Sequence, residues 1–218
     1  MSSMKNVLLI VDIQNDFLPG GALAVADGDA IIPGVNALTE LEGWDSIVLT
    51  QDFHPAGHSS FASAHEGKEV YDTVEMPYGA QTLWPDHCVI GTPGAEFAST
   101  LNSDAANVVI RKGFRRHIDS YSAFMENDGK TSTGLAGTLT DLGGGDPSGV
   151  RVFVVGLATD FCAGYSAVDA RNAGFEVVAV RDLMRGIDID GSIDAMWEQL
   201  RDAGVEIVAS SDVAGMIG

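Results

Sequence analysis

The sequence predicts an α/β fold, a three-layer α/β/α sandwich around a mainly parallel six-stranded sheet. Two observations carry this. Six short runs rich in β-branched residues are mostly apolar on both faces rather than alternating, which suits strands covered by helices on either side. Helical patterns fall between several of them, so strand, helix and strand recur along one chain, a repeat that closes through right-handed crossovers. At 218 residues the chain is within reach of one large domain, and a single domain over residues 1–218 is expected.

The first run, VLLIV at 7–11, stops at Asp12. A helix is expected over 30–41, where Ile31, Val35, Leu38 and Leu41 recur at the spacing of one helix face. The second strand is expected at 46–50. Residues 54–94 then break the rhythm with Pro, Gly, His and aromatic side chains in no period. Segments this long and irregular inside compact domains are usually functional. A short helix is expected at 96–101 and the third strand at 107–111. GGGDPSG, at 143–149, reads as a surface turn before the fourth strand at 150–155. An alanine-rich helix over 162–173 should end at Gly174, a helix stop signal. The fifth strand at 176–180, a helix over 193–203 ending before Gly204, and the sixth strand at 206–209 complete the chain. There is no internal repeat and no low-complexity segment.

Composition narrows the functional classes. The chain is 45% apolar and 20% charged, enough for a sizeable core. Two cysteines rule out a disulfide framework and a four-thiolate zinc site. No apolar run approaches the roughly 20 residues of a membrane span, and the short polar start before the first strand is not expected to be a secretory leader. A cytoplasmic protein is expected. Thirty-one acids face twelve bases, a net charge of −19. Phosphate backbones and anionic membrane surfaces are repelled by such a charge, so neither nucleic acid nor membrane is an expected partner. The only lysines are Lys5, Lys68, Lys112 and Lys130, and the acids are scattered rather than gathered in a tail. Two readings stand side by side: a solvated acidic surface, or adaptation to high salt, where screening relieves the self-repulsion.

In open α/β sheets, ligands bind in the crevice beyond the carboxyl ends of the strands. The residues expected there are Asp12, the run Gln51-Asp52-Phe53-His54, Lys112, and LATDFC with Cys162 opening a helix. One acid, one lysine and one thiol therefore converge with an Asp-x-His pair on one edge. Each alone has an ordinary explanation: a cap, a solvated lysine, a core cysteine. Together they suit acyl transfer through a thioester. A helix N-terminus and the Lys112 cation should lower the Cys162 pKa, Asp12 can accept and return a proton, and the turn at 156–162 offers N–H groups to an oxyanion.

Asp52 and His54, at i and i+2 of an extended strand, point the same way and can share one ion, with His87 closing the site. Two imidazoles and a carboxylate suit zinc, iron or manganese. Ser60 or His58 is the candidate for a further ligand. Cys88 adjoins His87, but neighbours on an extended chain point apart, so it reads as packing. Phe17, Trp84, Tyr121 and Phe161 flank these motifs and can wall a pocket for a flat ring.

VDIQNDF (11–17), QDFHPAGHSSFA (51–62), WPDHCVIGTPGAEF (84–97), RKGFRRHIDSYSAF (111–124) and VGLATDFCAGYSAVDA (155–170) resemble, in order and over most of the chain, the nicotinamidases (pyrazinamidases) of the isochorismatase-like hydrolase superfamily. The resemblance implies hydrolysis of nicotinamide to nicotinate and ammonia. It implies Cys162 as nucleophile with Asp12 and Lys112 as its catalytic partners. It implies Asp52, His54 and His87 as ligands of one divalent metal ion, zinc in the first place, which holds the ring nitrogen. It further implies a cis peptide before Ala158, an oxyanion hole from the N–H groups of Ala158 and Cys162, and ring contacts from Phe17, Trp84 and Tyr121, with Phe161 tuning the pocket. Two alternatives stay open: another hydrolase of the superfamily acting on a carbamoyl amide, or a non-catalytic binding protein on the same fold. Assembly into a homo-oligomer also stays open.

Overall fold

A computed structural model describes residues 4–218. Its main sheet contains all six expected strands: β1 Lys5–Val11, β2 Ser46–Asp52, β5 Val108–Lys112, β6 Val150–Leu157, β7 Glu176–Arg185 and β8 Glu206–Val208. Every pairing in it is parallel, in the order β5-β2-β1-β6-β7-β8. β1, β2 and β6 are buried almost throughout, as their unbroken apolar runs require. β5 alternates in burial because it is an edge strand, and Val109 on it is exposed.

Helices α1 Ile32–Thr39, α2 Leu135–Leu142, α3 Gly164–Asn172, α4 Ser192–Asp202 and α5 Ser210–Ile217 cover the sheet. Two cores result, one on each face. Leu8, Ile10 and Leu49 pack with α1 residues Val35 and Leu38 on one side. Val7, Leu9 and Val154 pack with Leu139, Ala167 and Leu200 on the other. Among the described residues no helix is long and apolar enough to cross a membrane.

Four expectations need correction. Residues 96–101 form no helix. Their backbone is drawn out against the chain after β1, with Asn15 N–H donating to Glu96 O at 3.0 Å and Ala98 N–H to Ile13 O at 3.0 Å, so these groups are unavailable for helical bonds. The helix expected from 162 begins at Gly164 instead, after a wider turn at Thr159–Ala163. The irregular stretch 54–94 holds a two-stranded antiparallel hairpin, β3 Thr73–Met76 and β4 Gly79–Thr82, outside the main sheet. Helices α2 and α5 were not expected either. Both are eight residues long and carry glycine, which blurs the period.

Candidate active site

Strand order decides what meets what. β1 leads leftward to β2 and β5, while the chain resumes on the other side with β6. The switch point lies between β1 and β6, and Asp12 follows β1 while Ala158 and Cys162 follow β6. Asp52 and Lys112 end β2 and β5 and are register partners. Four neighbouring strands thus deliver every charged or nucleophilic group of the first constellation to one crevice, as the sequence led us to expect.

Lys112 is the hub. Its side chain is wholly buried, and Nζ lies 2.8 Å from Asp12 Oδ2, 2.5 Å from Asp52 Oδ1, 3.0 Å from Ser120 O and 3.2 Å from Cys162 Sγ. Asp12 is also wholly buried. Thr50 Oγ1 donates to Asp12 Oδ1 at 2.5 Å and accepts from Asp12 N–H at 3.1 Å. Carboxylate oxygens of Asp12 and Asp52 and the sulfur of Cys162 all lie within 4.8 Å of one another. Thr50 and Ser120 escaped the sequence reading; Thr50 had a signal, sitting at i−2 from Asp52 and so on the same side of β2.

These contacts sort the protonation states. Burial pushes the Asp12 carboxyl above its usual value, and Lys112 only partly offsets it. Burial acts on Asp52 in the same sense, yet Lys112 and His54 outweigh it and hold that carboxyl well below its usual range. Burial would lower the Lys112 ammonium, but Asp12 and Asp52 keep it well above. Cys162 departs from expectation. Burial, reinforced by the Asp12 and Asp52 charges, pushes the thiol well up, and Lys112 does not reverse this. The expected lowering of the Cys162 pKa is therefore not found, and the thiol lies beside a buried carboxylate.

The turn after β6 carries the cis peptide Leu157–Ala158. Ala158 O accepts from Phe161 N–H at 3.1 Å and from Ala163 N–H at 3.0 Å. Neither bond uses the N–H of Ala158 or Cys162.

Asp52, His54 and His87 are brought together as expected, with one ligand atom of each within 4.8 Å of the others. His54 Nδ1 lies 2.8 Å from Gly113 O, and His87 Nδ1 lies 2.8 Å from Pro85 O. A carbonyl can only accept, so both Nδ1 atoms carry the hydrogen and both Nε2 lone pairs are free. They face Asp52 Oδ2 from 3.6 and 3.7 Å, too far for good hydrogen bonds. Three lone-pair donors facing one another without hydrogen between them fit a cation, and backbone-anchored imidazoles are the usual support of one. Gly113 is needed here: it has φ +65°, and a Cβ would come within 2.4 Å of the His54 ring.

His58 does not join this set. Its Nε2 faces Arg115 O and Ile118 O at 2.9 and 3.2 Å, so it carries the hydrogen, and its Nδ1 is left to accept from Ser60 Oγ at 2.7 Å. Of the two further candidates, only Ser60 keeps lone pairs to offer. Cys88 is fully buried in the core, as its packing role required.

Beside the thiol and the three donors lies a small pocket, which Cys162, Asp52 and His87 help to line. Phe17, Trp84, Tyr121 and Phe161 all line it, with Leu23, Asp119 and Ile187, which the sequence reading missed. Phe161 meets Trp84 and Tyr121 edge to face, with ring centroids 4.8 and 5.5 Å apart, and Phe17 meets His87 likewise at 5.5 Å. The aromatic walls suit one flat ring.

A parallel α/β sheet with a thiol, a carboxylate and an ammonium gathered at its switch point has the make-up of a cysteine-centred α/β hydrolase. The chain belongs to the isochorismatase family, whose Isochorismatase domain matches residues 6–212. A nicotinamidase from Acinetobacter baylyi is 48% identical over 206 residues, covering 94% of this chain and 93% of that protein. Among solved structures, a nicotinamidase/pyrazinamidase from Acinetobacter baumanii is 47% identical with a TM-score of 0.90, over 98% of this chain and 100% of that one. The pyrazinamidase of Pyrococcus horikoshii in complex with zinc is 36% identical with a TM-score of 0.73, over 94% of this chain and 99% of that one.

Proposed function

We propose that this amidohydrolase converts nicotinamide to nicotinate and ammonia, and accepts pyrazinamide, through a thioester on Cys162. The observation that carries the reading is the Lys112 ammonium, which touches Asp12, Asp52 and Cys162 at once and so ties the thiol to the three-donor set. The curated relatives support the substrate.

Asp12, raised by burial toward the range of a working base, takes the proton of the Cys162 thiol as sulfur bonds to the amide carbon. Lys112 balances the charge held by the pair. The carbonyl oxygen becomes an oxyanion and is met by the N–H groups of Ala158 and Cys162. Asp12 passes its proton to the amide nitrogen, the C–N bond breaks, and ammonia leaves. A water then adds to the thioester carbon and gives a proton to Asp12. The C–S bond breaks, sulfur recovers that proton, and nicotinic acid departs, giving up its own proton to water as nicotinate.

Asp52, His54 and His87 would hold one divalent ion, with Ser60 as the further protein donor; bound there, the ion supplies a Lewis acid for the pyridine nitrogen. Zinc is the proposed metal, given the zinc-bound relative; iron and manganese suit the same donors. Phe17, Trp84, Tyr121 and Phe161 enclose the ring and keep water from it, which holds the carboxamide against the thiol. We also read the acidic surface as an adaptation to high salt.

Ammonia release from nicotinamide tests the assignment. Turnover of nicotinamide well above that of aliphatic carbamoyl amides is expected. A preference for the carbamoyl amide would move the enzyme to another branch of the family, and tight ring binding without turnover would make it a binding protein.

A further inference from the structure

We propose that Gln81, on the β3–β4 hairpin, is a positioning residue: it holds the Tyr121 hydroxyl and the Asp119 carboxylate in the pocket wall, and so sets affinity for the ring without touching the reacting atoms. This rests on the nicotinamidase reading of the pocket. β3 and β4 form a separate two-stranded sheet whose residues are mostly exposed or half-buried. Gln81 is the exception, 1% exposed, with its amide turned inward.

Every polar atom of that amide is engaged. Nε2 lies 2.7 Å from Thr82 O, 2.8 Å from Asp119 Oδ2 and 3.0 Å from Tyr121 Oη. Oε1 accepts from Tyr78 Oη at 3.1 Å and from Asn127 Nδ2 at 3.4 Å. A backbone carbonyl and a carboxylate only accept, so they fix which end of the amide is nitrogen. The amide nitrogen offers hydrogens and no lone pair, so Tyr121 Oη accepts from Gln81, whose two hydrogens are shared with Thr82 O and Asp119 Oδ2. Tyr121 Oη must also accept from Trp84 Nε1, at 3.3 Å, because an indole N–H only donates. Two inbound bonds use the lone pairs of the phenol oxygen and fix its place. Its own hydrogen has no acceptor among the described residues. Tyr121 packs on Phe161, the neighbour of the nucleophile, and both line the pocket with Asp119. A hairpin outside the main sheet thereby braces the pocket wall that Tyr121 and Asp119 form. Four hydrogen-bonded side chains, Tyr78, Asn127, Asp119 and Tyr121, meet on one buried amide.

Gln81→Met keeps length and apolar volume but removes both hydrogen-bonding ends. In the metal-loaded enzyme, KM for nicotinamide should rise roughly tenfold while kcat stays within about twofold, the pattern of lost ground-state binding. The rate of Cys162 alkylation by iodoacetamide should not change. Tyr121→Phe should raise KM in the same direction, and Gln81→Met/Tyr121→Phe should be clearly less than additive, since one residue acts through the other. Binding of nicotinamide read by calorimetry in a Cys162→Ala background removes any dependence on turnover, and the same roughly tenfold weakening is expected there. Unchanged affinity in Gln81→Met, or fully additive effects, would overturn the positioning role and leave the activity standing. Failure of the parent protein to bind nicotinamide at all would overturn both. A fall in kcat together with slower alkylation would also overturn it, by placing Gln81 in the support of the thiol instead.

Discussion

Lys112 Nζ lies 2.5 Å from Asp52 Oδ1, and the other oxygen of that carboxylate faces the Nε2 atoms of His54 and His87. One buried carboxylate thus joins the thiol half of the site to the half that groups Asp52, His54 and His87. Lys112 spends its remaining contacts on Asp12, Ser120 and Cys162. Burial raises both carboxyls; at Asp12 it prevails over Lys112, while at Asp52 Lys112 and His54 together outweigh it, so Asp12 goes up and Asp52 goes down. Environments that split a pair of like groups commonly mark division of labour between them.

That split gives a pH dependence with a definite sign. Asp52 has a folded pKa below its unfolded value of about 3.9, so its stabilising contribution is full above that pH and is lost as pH falls through the folded value. Asp12 is the reverse: its folded pKa is raised, so its contribution is present below about 3.9 and is lost as pH rises through the folded value. For catalysis Asp12 must be ionised to take the thiol proton. The acid limb of kcat/KM should therefore have its midpoint above the ordinary carboxylate value of about 3.9. A pH–rate profile recorded beside a pH–Tm profile separates the two effects. An acid limb that merely follows loss of the fold would remove Asp12 as the titrating base.

Cys162→Ala should abolish turnover while fold and metal content persist, because it removes the proposed nucleophile alone. Cys162→Ser should be nearly as inactive, since a hydroxyl needs a stronger base than Asp12 supplies. Iodoacetamide distinguishes the two cysteines. Burial pushes both thiols well up, so access decides: Cys162 lines the pocket, whereas Cys88 is fully buried in the core. Mass mapping should find Cys162 modified first, with nicotinamide protecting it. Activity near normal in the alanine variant would end the thioester mechanism.

The site was more legible than its surroundings, for a physical reason. Asp12, Asp52, Lys112 and Cys162 sit at or just past the ends of apolar β-branched runs, and a parallel sheet must bring those ends to one edge. The expected lowering of the Cys162 pKa failed because pattern does not reveal burial: the cation was placed correctly, but desolvation and two carboxylates outweigh it. The β3–β4 hairpin stayed hidden because its strands are four residues long and bury little, so no period develops. Gln81 was hidden with it. The failed helix at 96–101 shows the same limit from the other side, since its local pattern lost to backbone bonds with Ile13 and Asn15.

Metal removal should act on substrate binding. Among the described residues lining the pocket, Cys162 is the one thiol, with Asp52 and His87 beside it, and the Nδ1 contacts leave the Nε2 lone pairs of His54 and His87 free to take an ion. Chelation, or His54→Ala, should weaken nicotinamide binding strongly while Cys162 remains open to alkylation. Benzamide, which lacks the ring nitrogen, should be a poor substrate with or without metal. Turnover of benzamide equal to that of nicotinamide, and only in the loaded enzyme, would instead assign the ion to water activation.

Stability should rise with salt. The chain carries −19 with only four lysines. Among the described residues, the ion pairs outside the buried site are Lys5–Asp45, Arg115–Glu126 and Arg151–Glu176, each with at least one partly exposed side chain. Screening therefore has little favourable pairing to remove, since exposed pairs contribute about 0–1 kcal/mol each. It has much repulsion to relieve. At 0.1 M salt the Debye length is about 10 Å, which spans neighbouring surface carboxylates, and at 1 M it is about 3 Å, which does not. The buried Lys112 pairs lie outside this effect because no solvent ions separate them. Strongly excluded salts add a second push by favouring apolar burial. Thermal melts should thus shift upward as sodium or potassium chloride rises from about 0.1 M to 1 M, and activity at a fixed temperature should follow. An ordinary acidic surface kept only for solubility would give a flat or falling curve. Substituting exposed aspartates such as Asp188 and Asp190 by lysine should flatten the rise if repulsion is its cause, and a slope unchanged by such substitutions would point to salt exclusion instead.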